Sequence, residues 1–380
     1  MKNIENKNQS LKQFDVQRTH IFYPKAERQI AELVQKESSN TDHDISELMI
    51  EVILQQNGMG RALKVIPFTT LGTLHIAYQV ILENKKNVVV RLNRFMTLRS
   101  SYEFFIEDCV YNKLAVYELQ HVQIHATDCE QCFSDFDYQI MEYVAGKTIR
   151  QLEHPETQAL DEKLLEIIGS KLASFHTVPV QGYGLLSASA AKHNKLQGLH
   201  KTWSDYLFCQ LDEHIQTCLE LEAVSEQEAE KIKMFFTENK NIFDKQQSVL
   251  LHGDPGGHNV ICREEQSLTF IDWEDSLGGD WVYDIAFWGT FYKDWMLEPM
   301  LRGYVKQSGC KIPSDFYRRY WLYYLRVALA KTVHRHLFGY QDVPGRQPLS
   351  QRIQKALEKL SQNFDISSKS SKCRCSSPMM

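Results

Sequence analysis

The chain has 380 residues, 43% hydrophobic and 24% charged, with a net charge of −5 and a pI near 6.3. This composition suits an ordinary soluble protein with a sizeable core; it excludes fibrous and low-complexity classes, and without a general basic field nucleic acid is not an expected partner. No apolar run approaches the ~20 residues of a bilayer span, the start Met1–Lys7 is too polar for a signal peptide, and nine irregularly spaced cysteines read as reduced thiols, so a cytoplasmic protein with no membrane partner is expected.

Two helices come first. Ala26–Gln35 and Ile45–Gln55 carry apolar residues at helical spacing (Ile30, Leu33, Val34; then Ile45, Met49, Val52, Ile53), with Asp44 or Ser46 as a cap for the second. Three strand candidates follow, Ala62–Phe68, Ile76–Leu82 and Val88–Leu92; the first two are joined by a segment whose one glycine is Gly72. A further strand is read from Tyr138. Beyond it the pattern turns helical: Leu164–His176 places Leu165, Ile168, Leu172 and Phe175 on one face, and Trp203–Leu211, Ala229–Phe243, Phe316–His336 and Gln351–Leu360 follow. The acidic run Glu220, Glu222, Glu226, Glu228, Glu230 reads as a solvated face. Aromatic residues crowd Phe316–His336, as in a core helix, and Ser367–Met380 has no apolar pattern.

The chemistry concentrates between Val249 and Asp275. Val260–Cys262 and Leu268–Ile271 read as two strands joined by the charged turn Arg263–Ser267. Asn259 starts the first and Asp272 ends the second, and antiparallel pairing makes those ends neighbours. Asp254 lies shortly before Asn259, on a loop that Gly253, Pro255, Gly256 and Gly257 keep out of regular structure. Two carboxylates and one amide, all hard oxygen donors, therefore converge. That predicts a magnesium–phosphate site.

His252-Gly253-Asp254 followed by Asn259, and then Ile271-Asp272-Trp273-Glu274, resembles the aminoglycoside phosphotransferase and choline kinase-like family, relatives of the protein kinases. Kinases carry a catalytic loop H-R-D-x-x-x-x-N and a later D-F-G. Here Gly253 replaces the Arg, and Asp272-Trp273-Glu274 replaces D-F-G. The resemblance covers about Ala62 to Phe338 and implies an α+β, protein-kinase-like bilobal fold, with a small antiparallel-sheet N-lobe and a mainly helical C-lobe. The implied division is an N-terminal helical extension packed on the small lobe (1–60), a nucleotide-binding N-lobe and hinge (61–145), a C-lobe with catalytic loop and acceptor site (146–365) and a disordered tail (366–380).

The resemblance also implies roles. Asp254 would be the base or orienter for the acceptor hydroxyl, and Asn259 and Asp272 would hold Mg2+ bridging the phosphates of ATP or GTP. Arg91 would be the phosphate-binding cation of the third strand, with Glu107 as its ion-pair partner and Glu103 and Asp108 as alternatives. Gly72 would approach the phosphates, although a single glycine, and His75 where relatives often carry Asn, depart from the family's pattern. The backbone at Met141, Glu142, Tyr143 and Val144 would bond the purine. Glu274 and Asp275 would face a cationic substrate. Asp284 would anchor the catalytic loop from below, and His176 would pack and hydrogen-bond rather than catalyse.

The implied activity is transfer of a nucleotide γ-phosphate to a hydroxyl of a small molecule. An aminoglycoside, as an antibiotic-resistance activity, is the first acceptor; choline, ethanolamine, a macrolide, an amino alcohol or another metabolite are alternatives. A monomer or homodimer is expected. A different class, a kinase-like protein that binds nucleotide without turnover, is opposed by the presence of Asp254, Asn259 and Asp272 together. Cys129-x-x-Cys132 with Cys373 and Cys375 reads as coincident thiols, because no spacing rule links pairs so far apart into a zinc site.

Overall fold

Aliphatic side chains on one face of a five-stranded sheet pack against a helix, and that contact builds the first of two cores. The structure is a computed structural model that describes residues 11–16, 20–37, 47–68, 75–93, 102–130, 137–154, 157, 159–263, 267–341 and 347–362. Three helices precede the sheet: α1 (residues 11–16), α2 (Pro24–Glu37) and α3 (Glu47–Gln56). Then come β1 (Ala62–Pro67), β2 (His75–Leu82), β3 (Asn87–Asn93), α4 (Glu103–Val116), β4 (Ile124–Asp128) and β5 (Tyr138–Glu142). The strands lie in the order β1-β2-β3-β5-β4 with antiparallel neighbours throughout. Val80, Leu82, Val88, Val90, Leu92 and Ile140 pack with Ile50, Ile53 and Leu54 of α3. Each such aliphatic side chain contributes roughly 1.5–3 kcal/mol when fully buried.

Residues 143–146 lead from β5 into the larger lobe. In chain order it holds β6 (Lys147–Thr148), α5 (Ile149–Leu152), α6 (Glu162–Phe175), β7 (Tyr183–Leu186), α7 (Ala188–Ala191), β8 (Gly198–His200), α8 (Trp203–Leu207), α9 (Leu211–Glu220), α10 (Glu226–Glu238) and α11 (Lys240–Phe243). It continues with β9 (Val249–Leu251), β10 (Val260–Cys262), β11 (Leu268–Phe270), β12 (Leu277–Gly279), α12 (Val282–Gly289), α13 (Leu297–Ser308), α14 (Phe316–Leu337) and α15 (Leu349–Ser361). Two small sheets, β11-β10-β6 and β8-β7-β12-β9, present the loops of the site. The aromatic α14 is core: Tyr320, Trp321, Tyr323 and Tyr324 are buried and the helix packs on α9, α12 and α15. The architecture is the α+β, two-lobed one expected.

Three expectations change. Of the two N-terminal helices only α3 packs on the small sheet; α2 packs on α14, where Glu27 accepts from His334 at 2.6 Å. Apolar spacing marks a face but does not choose what covers it. The helix expected over Trp203–Leu211 stops at Leu207, and Gln210, with a φ of 48°, turns the chain into α9. The one expected over Ala229–Phe243 breaks at Asn239, whose side chain donates to the Phe235 carbonyl at 2.7 Å. Polar side chains that bond nearby backbone compete with continued helix.

Candidate active site

β9 delivers the chain into a loop, residues 252–259, that the β10–β11 hairpin closes. Asp284 on α12 accepts from the backbone N–H of His252 (2.7 Å) and of Gly253 (3.1 Å), and lies 3.2 Å from His176 Nε2. One buried carboxylate thus holds the loop from below. Gly253 has a φ of +86°, and a Cβ there would stand 2.0 Å from the Asp275 carbonyl oxygen. Only glycine lets the loop lie so close to the chain beyond β11. A Cβ on Gly257 would likewise stand 2.1 Å from the Tyr292 hydroxyl.

The held loop presents Asp254. Its Oδ2 lies 3.3 Å from His258 Nε2, while Oδ1 is buried with no hydrogen-bond partner among the described residues. Burial by itself raises a carboxyl, but the His258 and Lys331 charges outweigh it and hold Asp254 well below the usual carboxylate range. A charged oxygen without a donor is a seat for an incoming O–H. Asn259 Nδ2 donates to the Asp254 carbonyl at 3.1 Å, and the Asn259 carbonyl accepts from Ile271 N–H at 2.9 Å. The hairpin register, Val260 opposite Phe270, therefore sets Asn259 beside the residue that precedes Asp272.

Asp272 has a φ of 66°, a left-handed conformation that Asp accepts more readily than most residues. Trp273 pins it there: the ring is fully buried against Phe175 and His252, and its Nε1 donates to the Phe270 carbonyl at 3.3 Å.

Arg91 of β3 reaches across to this segment. It meets Glu107 Oε2 at 2.5 Å, Asp272 Oδ1 at 3.1 Å and Glu274 Oε2 at 2.9 Å. The partner on α4 is Glu107, rather than Glu103 or Asp108. Glu107 is fully buried and also accepts from Trp273 N–H at 3.2 Å, so it joins the sheet, α4 and the turn after β11. Burial would lower Arg91, but Glu107, Asp272 and Glu274 raise it, so it stays charged. Burial would raise Glu274, but His75 and Arg91 bring it down to about 2. Asp272 goes the other way: burial and the Glu274 charge push it above the usual range despite Arg91. A carboxylate so crowded suits a site that receives a further cation. With the Asn259 amide oxygen it makes a hard donor set, and these residues fit magnesium.

The structure places the remaining candidates unevenly. Gly72 lies outside the described residues. Met141 and Val144 are buried; Glu142 pairs with Arg263 at 3.2 Å, and Tyr143 N–H donates to the Asn87 carbonyl at 3.4 Å. Glu274, expected to face a cationic substrate, is turned instead to Arg91 and His75, whose Nδ1 lies 3.3 Å away. The cause is His75 itself, buried and stacked 4.6 Å from the Phe104 ring. Asp275 shows its backbone carbonyl to Gly253. Three residues were not singled out from the sequence as part of the site: His75 as a partner of Glu274, His258 and Lys331. His258 had a signal, standing four residues after Asp254 on the same loop; Lys331, on α14, had none. Cys129 is buried, with its thiol pushed well above the ordinary range by burial, and Cys132, Cys373 and Cys375 lie outside the described residues. Among the described residues no three His, Cys, Asp or Glu side chains group to hold a metal, and no helix is long and apolar enough to cross a membrane.

Comparison with known proteins bears on the family and the fold. The family model for the phosphotransferase enzyme family matches residues 70–324. A thermostable mutant of aminoglycoside phosphotransferase APH(4)-Ia, solved with ADP and hygromycin B, is 16% identical with a TM-score of 0.61, over 81% of this chain and 97% of that one. A putative fructosamine-3-kinase from Thermobifida fusca YX-ER1 is 15% identical with a TM-score of 0.57, over 81% and 98%. ADP-bound aminoglycoside phosphotransferase APH(2'')-Ib is 18% identical with a TM-score of 0.54, over 81% and 97%. No curated protein sequence matches the chain.

Proposed function

The chain belongs to the phosphotransferase enzyme family, and on that premise we propose that it moves the γ-phosphoryl group of ATP or GTP to a hydroxyl of a small molecule. One observation carries this reading: an ionised Asp254 with an unpartnered buried oxygen stands on the loop and hairpin that also bring up Asn259 and Asp272. The acceptor oxygen bonds to the γ-phosphorus as the bond to the β-phosphate oxygen breaks, and Asp254 orients or takes the hydroxyl proton. Asn259 and Asp272 would hold Mg2+, which when bound neutralises phosphate charge. Arg91, steadied by Glu107, offers a fork of donors to phosphate oxygens. Residues 61–145, with Met141–Val144 against the purine, serve the nucleotide, and residues 146–365 serve the acceptor. The ADP of two structural relatives supports the nucleotide side. A cytoplasmic location goes with this reading.

The aminoglycoside acceptor draws support from the hygromycin B of one relative. Glu274 adds none, because it is engaged by Arg91 and His75. Purified protein with nucleotide and magnesium, assayed for nucleoside diphosphate release against amino sugars, amino alcohols and other hydroxyl compounds, tests the activity. Asp254→Asn should lower stimulated turnover by about 10²–10⁴-fold, the usual worth of a positioned base, while leaving the melting temperature near that of the parent. Near-normal transfer by that variant would remove Asp254 from the role.

A further inference from the structure

Lys331 of α14 stands on an aromatic wall that leads to Asp254. Lys331 Nζ lies 3.6 Å from the centroid of the Phe291 ring and 4.3 Å from that of Phe287. Among the described residues no carboxylate comes within ion-pair distance of it. Phe291 meets the His258 ring edge-on at 6.1 Å, and His258 is the residue that touches Asp254. Lys331 and the proposed base are thus joined through two intervening rings. Asp254 and Asp275 attract the Lys331 charge, while Arg352 and Arg335 oppose it.

Phe291 and Tyr292 also wall a cavity of about 550 Å³, completed by Trp295, Tyr324, Arg352 and Lys355. Tyr292 abuts Gly257, so the cavity borders the catalytic loop. One acid lines it, Asp294, and that acid is paired with Lys355. A polycation would find aromatic faces there but no free run of carboxylates. An anion would find cations on aromatic ground.

We propose that the acceptor is an anionic alcohol, its hydroxyl at Asp254, its carboxylate or phosphate on Lys331, and its body against the aromatic wall of the adjoining cavity. The proposal rests on the phosphotransfer reading for the hydroxyl and adds the class of molecule that carries it. Burial lowers the Lys331 ammonium to about 8, so it is still largely charged at neutral pH and gains from a nearby anion. Lys331 is then a specificity residue, and it should govern acceptor KM more than kcat.

Two measurements on the full chain test this. In the first, benzoate, the minimal aromatic anion, is titrated against the parent protein and its melting temperature is followed, with benzyl alcohol as the uncharged control. Benzoate should raise the melting temperature, benzyl alcohol should not, and Lys331→Met should abolish the shift while Lys331→Arg keeps most of it. No benzoate shift in the parent, or an equal shift in Lys331→Met, overturns the proposal. In the second, acceptors are compared in pairs alike except for charge, glycerate against glycerol and a sugar phosphate against its sugar, beside kanamycin and hygromycin B. The anionic member should stimulate diphosphate release, with its KM raised tenfold or more in Lys331→Met and the nucleotide KM unchanged. Stimulation by the amino sugars or neutral alcohols alone overturns the anionic acceptor and leaves phosphotransfer standing. A loss in kcat with an unmoved acceptor KM assigns Lys331 to the transferring group instead, and also overturns it. Stimulated release that Asp254→Asn does not reduce is the distinct failure of the parent reading.

Discussion

Arg91 is one cation among three carboxylates, and that imbalance sets the behaviour of each. Glu107 is wholly buried and meets Arg91 at 2.5 Å. Removing one partner of such a buried pair typically costs about 3–5 kcal/mol. Glu274, at about 2 in the folded protein against roughly 4.3 for a free side chain, is held ionised by its partners. A depressed carboxyl adds stability that is fully present above the unfolded value and is lost as pH falls through the folded one. The parent should therefore lead Glu274→Gln in stability at about pH 6 and lose that lead between about pH 4 and pH 2. Asp272, shifted upward, works against folding as pH rises past its ordinary range, so it cannot imitate this acid limb. Urea midpoints for both proteins across the range check the sign; an undiminished gap near pH 2 would show that Glu274 is not held by charge.

The element that makes a site out of these residues is the loop between β9 and β10. Its two amides end on Asp284, its asparagine closes back on Asp254, and its first glycine lies on the Asp275 carbonyl. Position follows from backbone contacts rather than from the catalytic side chains. Gly253→Ala should therefore damage activity more than folding. Strain at a positive φ costs about 1–3 kcal/mol, and a Cβ 2.0 Å from the Asp275 carbonyl oxygen must push the loop aside as well, where a displacement of about 1 Å in a reacting group can cost 10²-fold in rate. Denaturation curves set beside turnover in the same preparation separate the two. Wild-type turnover in Gly253→Ala would mean that the loop tolerates a different path.

Across the whole molecule, the N-terminal segment ties the lobes together. Phe14 meets Tyr102, at the start of α4, edge-on at 5.3 Å, while Asp15 accepts from Ser187 Oγ (2.6 Å) and Ala188 N–H (2.7 Å) at the start of α7. Phe22 is fully buried, stacked 4.9 Å from Tyr206, with the Arg326 guanidinium 3.7 Å from its ring centroid. α2 then lies on α14, and α3 returns to the small sheet. The segment is a fastening, and none of these contacts involves Asp254. Phe22→Ala should cost about 3–5 kcal/mol, as phenylalanine truncations in cores do, with turnover per folded molecule kept. Thermal melts with low-temperature activity check it, and a variant that melts like the parent would show the fastening to be dispensable.

The sequence by itself determined what is local or repeated at a short period. Apolar runs marked β1, β2 and β3, helical spacing marked α2, α3 and α6, and the 252–275 stretch carried hairpin, loop and three oxygen donors within two dozen residues. The short strands β7, β8, β9 and β12 were not legible, because three or four residues hold too little pattern to count, whereas β10 and β11, equally short, were read from the charged turn that joins them. Tertiary structure alone decided the contacts between distant parts of the chain. It chose Glu107 over its neighbours for Arg91, turned Glu274 to His75, carried α2 to α14 and set Lys331 near Asp254. Arg91 and Asp272 are 181 positions apart, and nothing in the periodicity of either segment encodes the other. Such pairs are selected by burial, because a charge taken from water must meet its complement wherever the packed chain brings one.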